Sequence, residues 1–158
     1  MIDVKLSTKG RYGLRAMIDL ALHCQDGQTV ALSEIAERQN LSLSYLEQLI
    51  ASLRKAGIVN SIRGAQGGYV LARPVEEISV GDILRTLEGS LNIVNCGQLQ
   101  EENRCNDSDF CVTKYVWQRI SNSINDTVNS MALSELVEVA AQIEEKRSSI
   151  TDGKITYC

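Results

Sequence analysis

Three scarcities narrow what this chain does. It has one proline and no low-complexity tract, which argues against long extended linkers. It has one histidine, His23, and no nucleophile–base pair spaced for catalysis, so a hydrolase or transferase is disfavoured. No apolar run approaches the roughly 20 residues that cross a bilayer, so no membrane partner is expected. Aromatics are also few, at 4%, against an ordinary hydrophobic content of 44%. No internal repeat is visible. No secretory signal pattern is visible either, so the expected setting is cytoplasmic, where reducing conditions disfavour disulfides among the five cysteines. The 158 residues suffice for one modest domain and an oligomerisation element.

The charge is unevenly spread. The net value of −4 looks wrong for a nucleic-acid binder. Residues 1–75, however, carry nine Lys/Arg against six Asp/Glu, and residues 76–158 carry seven against fourteen. A basic front and an acidic back suit a protein whose first half meets phosphate.

Apolar spacing predicts a first helix over residues 8–24, with Tyr12, Leu14, Met17, Ile18, Ala21 and Leu22 on one face. Thr29–Leu32 is extended in character. Ser33 offers an N-cap for a helix over Glu34–Gln39, closed at Asn40. Ser42 or Ser44 starts the next helix, which stops at Gly57; Leu46, Leu49, Ile50 and Leu53 form its apolar stripe. Its other face carries Ser44, Glu47, Gln48, Ala51, Arg54 and Lys55. Ile58–Arg63 and Tyr69–Ala72 flank a glycine-rich turn and read as a hairpin. No Lys-Ser/Thr pair follows that turn, so it is no nucleotide-binding loop. A short helix capped by Ser79 follows, then a polar stretch, a long helix over Val112–Met131 and a last, shorter one marked by Leu133, Leu136, Val137, Ala140 and Ile143. The expected class is mostly α with a small β-hairpin.

Three short helices followed by a hairpin make a winged helix-turn-helix, whose third helix enters the major groove. Ser44 and Gln48 on that helix are candidate base readers. Arg63, at the base of the wing, is placed to enter the minor groove or grip phosphate. Ser44-x-x-Glu47 also fits a capping box, which would bind Glu47 to its own helix. Four segments are expected: the winged domain over 1–90, a cysteine loop over 91–111, dimerisation helices over 112–145 and a polar tail over 146–158. The stripe Val116, Trp117, Ile120, Ile124, Val128, Met131 lacks an obvious partner within the chain. It suits a two-fold homodimer reading a palindromic double-stranded operator.

Cys96, Cys105 and Cys111 stand at C-x8-C-x5-C in a stretch without apolar periodicity. Such a stretch cannot bury a core. Three thiolates on one metal centre would hold it, and soft sulfur suits iron–sulfur clusters and zinc alike. Three free thiols in a loop are the alternative. Cys24 lies in register with the first helix's apolar stripe, and Cys158 is the last residue; both are left out of the site.

The chain resembles the IscR-type iron–sulfur cluster-sensing winged-helix regulators. The resemblance runs from about residue 5 to residue 140. It rests on Leu6-Ser-Thr-Lys-Gly-Arg-Tyr12, Ala36-Glu-Arg-Gln39, Leu41-Ser-Leu-Ser-Tyr-Leu-Glu-Gln-Leu49, Leu53-Arg-Lys-x-Gly57, Arg63-Gly-x-x-Gly-Gly-Tyr69, Val80-Gly-Asp82 and the Cys111–Trp117 spacing. It implies a homodimer that controls cluster-assembly genes, a 2Fe–2S cluster on Cys96, Cys105 and Cys111, and base reading by Ser44, Glu47 and Gln48 with Arg63 as the wing contact. It further implies that Glu47 is where cluster status alters DNA choice, and that cluster-assembly proteins act as donors. Two departures stand out. The family's motif has a histidine three residues after the last cysteine, where this chain has Lys114, and the first cysteine gap is longer than usual. The fourth ligand is therefore open among Lys114, Asp107, Asp109, Glu101, Glu102 and a residue of a partner subunit. A regulator sensing nitric oxide or redox state, a zinc-stabilised repressor and an iron–sulfur carrier remain as alternatives. The carrier is disfavoured because it needs no recognition helix.

Overall fold

The computed structural model describes residues 6–24, 27–92 and 111–148. These form six α-helices, a short 3-10 helix (Val75–Glu77) and one hairpin: α1 (Thr8–His23), α2 (Leu32–Gln39), α3 (Leu43–Lys55), β1 (Val59–Ile62), β2 (Gly68–Leu71), α4 (Val80–Glu88), α5 (Val112–Ser130) and α6 (Leu133–Ser148). The expected class, mostly helical with a two-stranded antiparallel hairpin, is what is found. None of the described helices is long and apolar enough to cross a membrane.

One helix start differs from the sequence reading, and at another the structure chooses between its two candidates. α2 begins at Leu32 with Ala31 as N-cap, without a side-chain cap from Ser33. Starting there puts Leu32, Ile35, Ala36 and Gln39 on one buried face at i, i+3, i+4 and i+7. Burying Leu32 is worth about 1.5–3 kcal/mol, more than the roughly 1 kcal/mol of a serine cap. α3 is capped by Ser42, whose hydroxyl accepts from the Tyr45 N–H at 3.2 Å, so the capping box at Ser44 does not form. At the other end of α2, Asn40 takes the left-handed conformation at φ 53° and turns the chain into α3.

The core is built where these stripes meet. Met17, Leu20, Ile35, Leu46, Ile50, Leu53, Ile58, Ile78 and Ile83 are fully buried together. Leu133 and Ala140 of α6 join the same core. α6 is tied to the winged part by backbone bonds either side of Ser79: the Val80 N–H donates to the Met131 carbonyl at 2.9 Å and the Leu133 N–H to the Ile78 carbonyl at 2.8 Å. α6 runs to Ser148. α4 carries the expected Ser79 cap, completed by Asp82 as a reciprocal capping box.

The hairpin pairs Val59 with Leu71 and Ile62 with Gly68. The extended segment before α2 joins it, since Val30 and Tyr69 exchange both backbone hydrogen bonds at 2.8 and 3.0 Å. The wing is thus pinned to the helical core at Val30.

Candidate nucleic-acid interface

α3 buries Leu46, Leu49, Ile50 and Leu53 and leaves Ser44, Glu47, Gln48, Ala51, Arg54 and Lys55 exposed. Ser44 lies in the first turn and Glu47 and Gln48 in the second; Ser42 rather than Ser44 caps the helix. This leaves the Ser44 hydroxyl and Glu47 carboxylate out of capping duty. Arg54, at the other end, donates to the Ser61 hydroxyl on β1 at 3.3 Å and links α3 to the wing.

Arg63 follows directly on β1 and opens the turn between the strands. It is exposed. It therefore sits at the outer end of the hairpin, not at the base expected from the sequence. That end is closed by the Gly67 N–H donating to the Gly64 carbonyl at 3.0 Å, with the Thr29 hydroxyl donating to the Gln66 carbonyl at 2.7 Å. A cation at a hairpin tip reaches further from the core than one at its base.

The helix-turn-helix is held on α1 by a polar network that the sequence pattern did not reveal. Asp19 is 2% exposed. It accepts from Arg38 Nε and Nη2, the shortest at 2.6 Å, and from Gln39 Nε2 at 2.7 Å. The hydrogen bond to Asp19 raises the Arg38 pKa above its ordinary value. Arg15 in turn donates to the Gln39 side chain and carbonyl at 3.2 and 2.9 Å. Its guanidinium lies 5.4 Å from the centre of the Tyr12 ring, which meets Tyr45 edge-on. The signal missed was an Asp at a buried helical position, which needs a partner. His23, at the exposed end of α1, has Nδ1 2.8 Å from the Asp19 carbonyl.

Of the three site cysteines, Cys111 falls within the described residues; Cys96 and Cys105 lie outside them, as do Glu101, Glu102, Asp107, Asp109 and Cys158. Cys111 stands at the N-terminus of α5. The Thr113 hydroxyl lies 3.0 Å from its Sγ. That hydrogen bond, helped by the Lys114 backbone N–H and ammonium, holds the Cys111 thiol below its ordinary pKa. A thiolate is the form that ligates metal, so Cys111 fits the role of a cluster ligand. Lys114 is exposed in the first turn of α5. Cys24 caps the end of α1, half-buried against the core, as its register implied.

α5 packs on α4 and leaves a long open groove of ≈ 650 Å³ lined by Tyr115, Val116, Arg119, Ile120, Ser123, Ile124, Thr127 and Val128. The expected stripe is therefore divided. Val116 and Ile120 are exposed in the groove, whereas Trp117 is half-buried and does not line it.

A recognition helix with an unencumbered polar face, a wing and a helix-turn-helix define a winged-helix DNA-binding protein. The chain belongs to the Rrf2 family, described as iron-dependent transcriptional regulators, whose pattern matches residues 6–139. It is 44% identical over 134 residues to the transcriptional regulator IscR of Pectobacterium carotovorum, covering 85% of this chain and 79% of that one. The solved structure of T. potens IscR is similar at 46% identity and a TM-score of 0.68, covering 94% and 93% of the two chains. That of CymR, the global cysteine regulator of B. subtilis, is similar at 41% identity and a TM-score of 0.69, covering 85% and 97%. These relatives are transcriptional regulators, not enzymes, and this chain is a DNA-binding transcriptional regulator of their family.

Proposed function

We propose that this regulator is a homodimeric repressor of iron–sulfur cluster assembly genes that senses cluster status through a 2Fe–2S cluster on Cys96, Cys105 and Cys111. The observation that carries the sensing half is Cys111: a cysteine at a helix N-terminus whose thiol is drawn toward thiolate. When bound, the cluster supplies a centre that is gained or lost with cluster supply. The protein's own part is to turn that event into a change of DNA affinity. Cluster-assembly proteins are the donors.

On DNA, Ser44, Glu47 and Gln48 face base edges in the major groove. Gln48 suits adenine N6/N7, and the Glu47 carboxylate accepts from cytosine N4 while repelling other acceptors. Arg63 reaches the minor groove or backbone beside them. The α5 groove receives the α5 of a second copy, giving two recognition helices for a palindromic operator.

Two observations favour a second reading. The fold is as close to the B. subtilis cysteine regulator as to T. potens IscR, and Lys114 stands where the cluster motif has histidine. In that reading the input is cysteine supply, redox state or nitric oxide. The visible absorption spectrum of anaerobically purified protein, with iron and sulfide assays, separates the two. Broad visible absorption that is lost in Cys96→Ala, Cys105→Ala and Cys111→Ala and kept in Cys24→Ala supports the cluster. A colourless protein, or full iron and sulfide in Cys105→Ala, contradicts it.

A further inference from the structure

α1 begins without a carboxylate of its own. Its first turn carries Lys9 and no acidic residue, and its N-cap Ser7 satisfies only the Lys9 N–H, at 3.1 Å. The positive end of a helix favours a negative group. That group comes from the far end of α4. Glu88, the last residue of α4, accepts from the Ser7 hydroxyl at 2.8 Å and from the Gly10 N–H at 2.9 Å through a single oxygen, Oε1. A capping arrangement usually closed within one helix is closed here between two, 78 and 81 residues apart in sequence.

The seam is shaped for this contact. A Cβ at Gly10 would overlap Glu88 Oε1, and one at Gly13 would overlap Leu87 Cδ1. Both glycines are buried inside a helix, where glycine costs about 1 kcal/mol relative to alanine. An alanine at either position would displace the end of the Glu88 or Leu87 side chain.

The same turn of α1 touches the DNA-reading helix. The Tyr45 hydroxyl donates to Thr8 Oγ1 at 3.2 Å. Tyr45 lies in the first turn of α3, between Ser44 and Glu47. The Tyr12 ring, against which Tyr45 sits edge-on with centroids 6.1 Å apart, is also on α1. The first turn of α1 is therefore held between the end of α4 and the start of α3. On its other side Glu88 is followed by Gly89, which ends α4 at φ 83°, and Cys96 stands eight residues further along the sequence.

We infer that Glu88 is a positioning residue through which the state of the cysteine segment reaches the recognition helix. A shift at the end of α4 moves the carboxylate. The carboxylate moves the Ser7–Gly10 turn, and that turn moves Tyr45 and the base-reading side chains beside it. The inference rests on the cluster-sensing reading above, because it concerns how that signal travels.

The test uses the full-length protein and a duplex selected by the parent from a random-sequence pool. Dissociation constants are measured at fixed salt for protein reconstituted with iron and sulfide and for chelator-stripped protein. Coupling of this kind typically changes affinity by about 5–150-fold between the two forms. Glu88→Ala should keep the visible chromophore and bring the ratio of the two constants to within about twofold of one. Glu88→Gln should restore it, since an amide oxygen still accepts both hydrogen bonds. Gly10→Ala, whose methyl takes the place of the carboxylate, gives the same collapse by a second route and serves if Glu88→Ala does not fold. A ratio preserved in Glu88→Ala and Gly10→Ala, with both forms weakened equally, overturns the inference and leaves Glu88 a cap only. A ratio of one in the parent overturns the cluster-sensing reading itself, and the transmission with it.

Discussion

At the scale of single residues, the most exacting group is Asp19. A carboxylate buried on the inner face of α1 is tolerated because Arg38 and Gln39 saturate it, and both come from α2. Removing one partner of such a set leaves the others unpaired. Asp19→Ala should cost about 3 kcal/mol, the low end for a buried pair because the Arg38 side chain is 33% exposed. Urea unfolding measures this; a loss within experimental error would remove Asp19 as the fastening of α2. Nothing in local periodicity signals this network, since its partners are 19, 20 and 24 residues apart and meet only in the folded chain.

Cys111 can be tested without any metal. Its pKa is depressed, so its thiolate persists at pH values where an ordinary thiol is protonated, and is lost only as pH falls through the depressed value. In a variant with the other four cysteines replaced by serine, the alkylation rate at Cys111 should have its midpoint below that of a free thiol. Thr113→Val should move that midpoint upward. No movement would mean the Thr113 hydroxyl does not stabilise the thiolate.

The recognition residues make separable claims. Gln48→Ala should cost about 1–3 kcal/mol in operator binding and relax discrimination at one base pair per half-site. Arg63→Ala should weaken binding to all sequences and lower the salt slope by about 1. Unchanged binding in both would mean the reading face lies elsewhere.

At the scale of elements, sequence and structure agree best where burial sets the period. The stripe Leu46, Leu49, Ile50, Leu53 defines α3, and the β-prone runs about Gly64–Gly68 define the wing. They part where two local solutions compete. Ser42 and Ser44 both suit an N-cap, and only the geometry of the Tyr45 N–H decides between them. Ser33 is a better capping residue than Ala31, yet the start of α2 is set by the burial of Leu32. The candidate site was legible in part for the same reason. An exposed polar face on α3 follows from its period, whereas the Glu88 contact with α1 comes from tertiary packing alone. α5 makes its own prediction. Its apolar groove, with Val116 and Ile120 exposed on a single chain, should close against a second copy. Light scattering should report a dimer for the parent and a monomer or aggregate for Ile120→Glu; a soluble parent monomer would refute the interface.

At the scale of the whole molecule, the three helices of the reading head, the pinned wing and α6 share one core. α4 and α6, from the acidic second half, therefore belong to the same body as the basic first half. Net charge conceals this arrangement, because −4 is the balance of a basic front and an acidic back. Cys111 opens α5, whose apolar groove is open on the single chain. Under the proposed function, regulation amounts to a difference in operator affinity between two forms of the protein. The most direct measurement is the affinity of cluster-reconstituted and chelator-stripped protein for one panel of operators at fixed salt. The prediction is a difference of about 5-fold or more for at least one operator, with Glu47→Ala broadening the range bound by the stripped form. Equal affinities of the two forms for every operator would contradict regulation of DNA binding by the cysteine site.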